Sequence, residues 1–175
     1  MNNMLSKIAL MNDIGVALSS EKNNQRVLEI ILNGAKELTN ADGGTLYLLE
    51  EDNQLKFEIV STDSLGLVMG GTSGNGIRFP SLPLYVDGEE YLSMVVTRAV
   101  LKDETINISD AYHAEGYDFS GTRKFDQQTG YRTRSLLTIP MKNHEGDIIG
   151  VLQLINCLDT ETGQVVDFSE GDRKL

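Results

Sequence analysis

The most constraining feature of this chain is a pair of apolar runs near its C-terminal end. Ser135 to Lys142 and Ile148 to Asn156 are separated by the polar turn His144-Glu145-Gly146-Asp147. Runs of this length, rich in Leu, Ile and Val and joined by a short glycine-containing turn, pair as a β-hairpin. Because they are apolar on both alternating sets of positions, the hairpin belongs at the centre of a sheet whose two faces are covered.

The material that covers one face precedes it. Met4, Ile8, Met11, Ile14 and Leu18 recur at steps of three and four, as do Val27, Leu28, Ile31, Leu32, Ala35 and Leu38, giving two amphipathic helices joined near Ser20 to Asn24. Asn40 to Gly44 breaks the second helix. Thr45 to Glu50 and Leu55 to Val60 then read as a hairpin about Asp52-Asn53-Gln54. Leu65 to Gly76, with five glycines, reads as a surface loop. Ile77 to Pro80 is expected as a short strand, Glu89 to Leu101 as a helix after the turn Asp87-Gly88, and Thr105 to Ile108 as a strand. Ser109 to Gly130 is a long polar excursion with one short helix that Gly130 ends. Helices, hairpins and irregular middle elements in this order give an α+β fold with an antiparallel sheet.

Length and composition narrow the function. At 175 residues the chain suits one domain, residues 1–175. The charged segment from Phe168 to Leu175 stops before an apolar stripe accumulates, which reads as a helix cut from a longer protein. Fifteen Lys and Arg against 26 Asp and Glu leave a net charge of −11, which disfavours nucleic acid as a partner. Apolar runs fall far short of the roughly 20 residues that cross a bilayer, and Met1 to Ser20 carries Asn12, Asp13 and Gly15 where a signal peptide would be apolar. No membrane insertion and a cytoplasmic location are expected. The single cysteine, Cys157, excludes an internal disulfide and fits a reducing compartment.

Few residues point to covalent chemistry. No phosphate-cradle motif is present, and Gly74-Asn75-Gly76 lacks the third glycine of a dinucleotide fingerprint. His113 and His144 stand alone on separate loops, and Asp110, His113 and Glu115 read as a solvated cluster, so no metal is expected. Cys157 follows apolar strand residues and reads as a buried, inert thiol. The excursion is richer: Phe125, Asp126, Thr129, Tyr131 and Thr133 interleave rings, hydroxyls and a carboxylate beside Arg123, Lys124, Arg132 and Arg134. Such a set suits a flat heterocycle, and equally suits a polar loop pinned by its own hydrogen bonds.

Four segments together are recognisable. TINISDAY (105–112), FDQQTGYRTRSLL (125–137), IPMKN (139–143) and GDIIGVLQLIN (146–156) resemble the GAF domain family, especially the GAF domains of cyclic-nucleotide phosphodiesterases and their bacterial relatives; NADGGTLYLLE (40–50) is similar to the family's first strand. The segment YDFSGTRKFDQQTGYRTRS also resembles GAF domains placed ahead of bacterial HD-type phosphohydrolase and nucleotide-cyclase domains. The resemblance implies a six-stranded antiparallel sheet, N-terminal helices on one face, and a ligand pocket roofed by helices on the other. It implies a sensor rather than an enzyme, with no fixed cofactor, cAMP or cGMP as possible ligands, an attached effector domain and a homodimer. A ligand-independent dimerisation element, seamed by Met4, Ile8, Met11 and Leu18, is the alternative reading.

Carried over by resemblance, Thr45 approaches the base, Asp126 meets the purine edge, Thr129 and Thr133 flank base and ribose, and Gln153, in place of a carboxylate often found there, lines the floor. The departures are in the roof and the end of the chain. Met94 to Thr97 stands where Gly-Ile-Ala-Gly is common, after an insertion through Ser81 to Tyr91, and Thr122 replaces an aromatic. Of the phosphodiesterase Asn-Lys…Phe-Asp-Glu signature only Asn156 and Asp172 remain, with Cys157, Gly171 and Arg173 at the other places, so its Lys-to-Asp ion pair cannot form. The related free methionine sulfoxide reductases and bilin carriers would need cysteines this chain lacks.

Overall fold

The computed structural model describes residues 2–174. Helices α1 (Asn2–Ser20) and α2 (Asn24–Thr39) lead into strands β1 (Ala41–Leu49) and β2 (Gln54–Thr62), then a 3-10 turn and β3 (Leu67–Gly70). Two-residue strands β4 (Leu82–Pro83), β5 (Tyr85–Val86) and β6 (Glu89–Glu90) precede α3 (Val95–Lys102) and β7 (Ile106–Ile108). Then come α4 (Ser120–Thr129), the hairpin β8 (Leu136–Lys142) and β9 (Ile148–Leu158), and the short β10 (Val165–Val166).

The sheet runs β3-β2-β1-β9-β8-β7, all antiparallel, so β1 and the apolar hairpin are central; β4 and β10 add short pairings to β2 and β9, making eight strands. Alternation along these strands divides the molecule. On one face Leu46, Ile59, Leu137, Ile139, Leu152 and Leu154 pack with Leu32 of α2. On the other, Tyr47, Leu55, Leu136 and Val151 pack with Val95, Val96, Ala99 and Val100 of α3. Asn23 caps α2, its side chain accepting from the amides of Gln25 and Arg26, and α1 lies on α2 with Ile14 against Gly34. Ile8 and Met11 of the expected α1 stripe are exposed, with Leu5 and Val16, while Ile14 is half-buried; Met4 and Leu18 lie outside the described side chains.

Three expectations are corrected. The glycine-rich stretch contains β3, because the glycine-free run Leu67-Val68-Met69, between Gly66 and Gly70, pairs along the free edge of β2. No strand forms at Ile77 to Pro80; that segment crosses the far face of the sheet as irregular chain. The helix expected from Glu89 starts only at Val95, because Asp87 and Gly88 both have positive φ (54° and 80°), the geometry of a two-residue hairpin turn, which closes β5 on β6. Gly130, at φ 76°, ends α4 as expected. Among the described residues no helix is long and apolar enough to cross a membrane.

Candidate functional site

The face of the sheet opposite α2 is incompletely filled. A cavity of about 270 Å³ lies between the strands and the segments that carry α3 and α4. Small-molecule sites are commonly about 300–1,000 Å³, so the space fits a compact guest. Its floor is a cross-strand row fixed by register: Thr45 is opposite both Val60 on β2 and Gln153 on β9, and Gln153 is opposite Thr138 on β8. Residues directly opposite share a face, which is why Val60, Thr45 and Gln153 all line the cavity. Gln153 Nε2 donates to Thr138 Oγ1 at 3.1 Å, which orients the amide. Thr45 is 5% exposed, and among the described residues nothing bonds its hydroxyl.

One wall is aromatic. Tyr47 and Phe57 have ring centroids 4.6 Å apart, Phe57 and Phe79 5.2 Å, and Phe79 and Phe125 6.3 Å, a chain of rings from the sheet across the mouth to α4. Burial raises the Tyr47 hydroxyl's pKa far above its ordinary value, so it stays neutral. The roof is made of two helix starts, Met94 to Val96 of α3 and Phe119 to Thr122 of α4, neither with a side-chain cap from its N-cap residue. Unsatisfied amides at such a start favour negative charge. Asp118, at the rim, already accepts from the Ser120 amide, and the Ser120 hydroxyl and then that amide lower its pKa, so α3 has the freer amides. No Lys, Arg or His lines the cavity among the described residues.

The structure brings Thr45, Thr133 and Gln153 to the cavity and places Asp126 and Thr129 elsewhere. Asp126 is 3% exposed and turned inward, where Oδ2 accepts from the Tyr112 hydroxyl (2.6 Å) and the Thr133 amide (2.8 Å) and Oδ1 from the Thr133 hydroxyl (2.8 Å). A carboxylate that takes three donors from the protein has little capacity left for a ligand. Thr129 is exposed in the last turn of α4 and donates to the Phe125 carbonyl at 2.8 Å. Tyr112 is itself clasped by Arg123 and Arg132, whose guanidinium carbons lie 4.3 and 3.7 Å from its ring centre, and Arg132 also holds Asp110 at 2.9 Å. Asp126 and this stack fix α4 over the cavity, so much of the basic, aromatic excursion is a polar loop pinned by its own bonds.

Tyr47, Phe57 and Phe79 are cavity residues the sequence analysis missed. The first two share the period-two face of Thr45, a signal that was present; Phe79 lies on irregular chain, where no periodicity marks it. Cys157 is buried on the α2 face, its thiol pushed up to about 11 first by burial and then by Asp172, and it donates to the Thr39 carbonyl. Among the described residues no cluster of His, Cys, Asp and Glu has the form of a metal site.

The dual 3',5'-cyclic-AMP and -GMP phosphodiesterase 11 of Drosophila melanogaster is 43% identical over 72 residues, which are 41% of this chain and 4% of that protein. The cGMP-specific 3',5'-cyclic phosphodiesterase of Drosophila sechellia is 30% identical over 144 residues, 79% of this chain and 10% of that protein. The chain thus spans a tenth or less of these relatives. Among solved structures, the GAF domain from an Acinetobacter phosphoenolpyruvate-protein phosphotransferase aligns with TM-score 0.63 at 19% identity, covering 99% of this chain and 86% of that one. The free methionine-R-sulfoxide reductase from Neisseria meningitidis aligns with TM-score 0.62 at 15% identity, covering 99% and 83%. At such identities the likeness shows the fold alone. The GAF domain profile matches residues 23–175, and with the sheet order and roofed cavity described above it establishes that this chain belongs to the GAF domain family.

Proposed function

We propose that the domain is a regulatory sensor that binds a compact, flat, ring-containing molecule, with cAMP or cGMP as the leading candidates, and controls a signalling enzyme attached to the same chain, such as an HD-type phosphohydrolase. The observation that carries this reading is the cavity itself: an aromatic wall to stack a ring, Thr45, Thr133 and Gln153 to meet its polar edge, and the open amides of α3 for an attached phosphate. The homology to cyclic-nucleotide phosphodiesterases supports the nucleotide. Regulation requires the ligand to prefer one of two arrangements, and couplings of about 1–3 kcal/mol are typical. Catalysis is not part of the proposal, because Cys157 is on the opposite face of the sheet from the cavity.

Calorimetry with cAMP and with cGMP tests it. A saturable heat at one site is expected, with stabilisation of about 2.7 kcal/mol at a hundredfold excess over Kd, visible as a Tm rise of several degrees. Absence of heat and of a thermal shift with both removes the nucleotide. A second reading, a dimerising transmission element in the cytoplasm, is favoured by the exposed apolar face of α1, where Leu5, Ile8, Met11 and Val16 are 55–61% exposed. Sedimentation at several concentrations tests that reading: a dimer abolished by Ile8→Glu supports it, and a monomer throughout defeats it.

A further inference from the structure

The chain between β3 and β4 joins the two faces of the molecule. At the end of β3, Gly70 and Gly71 both have positive φ, and the Gly71 amide donates to the carbonyl of Glu58 at 3.2 Å. Glu58 is the extra residue of β2 at the register shift between Leu46 and Tyr47. From this base the chain turns toward α2. The amide of Thr72 and its hydroxyl, at 2.5 Å, both donate to Glu29 Oε1, while Arg26 holds Oε2 at 2.7 Å. Gly71 lies so close that a Cβ there would be 2.6 Å from the same oxygen. Glu29, at 9% exposure, is therefore a buried carboxylate on the α2 side that spends one oxygen on the strap. The other end of the strap reaches the cavity, where Phe79 and Pro80 form part of the lining and Phe79 bridges Phe57 and Phe125.

We propose that Glu29 is a positioning residue for the cavity on the opposite side of the sheet: by fixing Thr72 it sets the path of the strap and so holds Phe79 across the mouth. The inference rests on the reading of that cavity as the ligand site, and it makes α2 the helix whose position the mouth is tied to. Freed from Glu29, the strap keeps the Gly71 bond to Glu58, the bonds that tie Ser73 and Asn75 back to Gly70 and Val68 at the end of β3, and the contacts of Phe79 itself. Ligand capture then weakens without any change in the cavity floor.

The chain has no tryptophan, so Phe79→Trp places a single tryptophan at the mouth, excited selectively over the tyrosines at the red edge of its absorption. In that background Glu29→Ala and Thr72→Val are expected to red-shift the emission and increase acrylamide quenching. Lys36→Met, which removes the other buried charge of α2 and its bonds to Ser61 and Asp63, is expected to leave both unchanged. In the unmodified background, Glu29→Ala should speed amide exchange at Thr72 at least about tenfold, the shift expected on losing a hydrogen bond to a charged acceptor. Should Phe79→Trp not fold, loss in Glu29→Ala of the nuclear Overhauser contacts between the Phe79 ring and those of Phe57 and Phe125 decides the matter. Unchanged emission and exchange in Glu29→Ala, or an equal response in Lys36→Met, overturns the proposal. If neither cAMP nor cGMP binds the unmodified protein but the mouth still responds to Glu29→Ala and not to Lys36→Met, the strap stands and the nucleotide reading falls.

Discussion

The two faces of one sheet carry different kinds of side chain from the same strands. The face under α2 is aliphatic and closed: Leu32, Leu46 and Leu154 have no exposed surface, and Ile59, Leu137 and Leu152 pack around them. The opposite face packs Leu55, Leu84, Leu136 and Val151 with α3, but over Thr45, Tyr47 and Gln153 it keeps space, rings and hydroxyls. Alternation alone produces this division, since neighbours in β1 such as Thr45 and Leu46 point to opposite sides. The first face is filled by aliphatic packing, and the second keeps the space that the proposed ligand would occupy.

That contrast is broken most directly at Leu32. Leu32→Ala deletes a fully buried side chain from a packed layer and is expected to cost about 3 kcal/mol, within the range of about 2–5 for such truncations, read from the denaturant unfolding midpoint. A cost below about 1 kcal/mol would mean that the α2 face is no better filled than the cavity face. Asp126 comes next. Asp126→Ala strands the Tyr112 hydroxyl and the amide and hydroxyl of Thr133, and each stranded buried donor costs about 1–3 kcal/mol when no water replaces the acceptor. Tyr112 is half-buried, so water can replace its acceptor, and the Thr133 hydroxyl can rotate; the loss expected without ligand is therefore about 2 kcal/mol, that of the one stranded Thr133 amide. Unchanged stability with lost ligand binding would return Asp126 to the role the family resemblance gives it.

Thr45 sharpens the comparison from the other side. Its hydroxyl faces open space, so the isosteric Thr45→Val should change stability by less than about 1 kcal/mol. The same change should weaken the calorimetric response to cGMP or cAMP. A large destabilisation would show that Thr45 serves the fold and not a guest.

How far the sequence disclosed this arrangement depended on whether a residue lay on a periodic element. The α2 stripe, the β1–β2 hairpin and the β8–β9 hairpin were legible because burial imposes a period of 3.6 or 2, whereas Thr45 and Gln153 were named only through the family resemblance. Asp126 and Thr129 were chosen for their chemistry, but the direction of a side chain on a four-turn-or-shorter helix in a polar loop depends on tertiary partners, here Tyr112 and Thr133, that no local pattern reveals. Phe79 and Glu29 were missed for the same reason. One sits on irregular chain, and the other looks like an ordinary polar position of an amphipathic helix until the strap folds down onto it.

The smallest expected effect concerns that same glutamate, and it separates the two faces by acid. Burial would raise the pKa of Glu29, but the Thr72 hydroxyl and amide and the Arg26 guanidinium outweigh it, so its carboxyl is held below the ordinary value of 4.5. A carboxyl with a depressed folded pKa binds its proton more readily in the unfolded chain. It therefore contributes stability that is fully present above pH 4.5 and is lost as the pH falls through the lower, folded value. Unfolding midpoints measured from pH 6 downward should fall less steeply below pH 4.5 for Glu29→Gln than for the unmodified protein. Because protonation also releases Thr72, a tryptophan at position 79 should become more quenchable over the same interval, while the packing around Leu32, whose one titratable member, Cys157, titrates only at high pH, should hold until global unfolding. Parallel slopes for the two proteins would show that the strap contributes nothing to the charge state of Glu29.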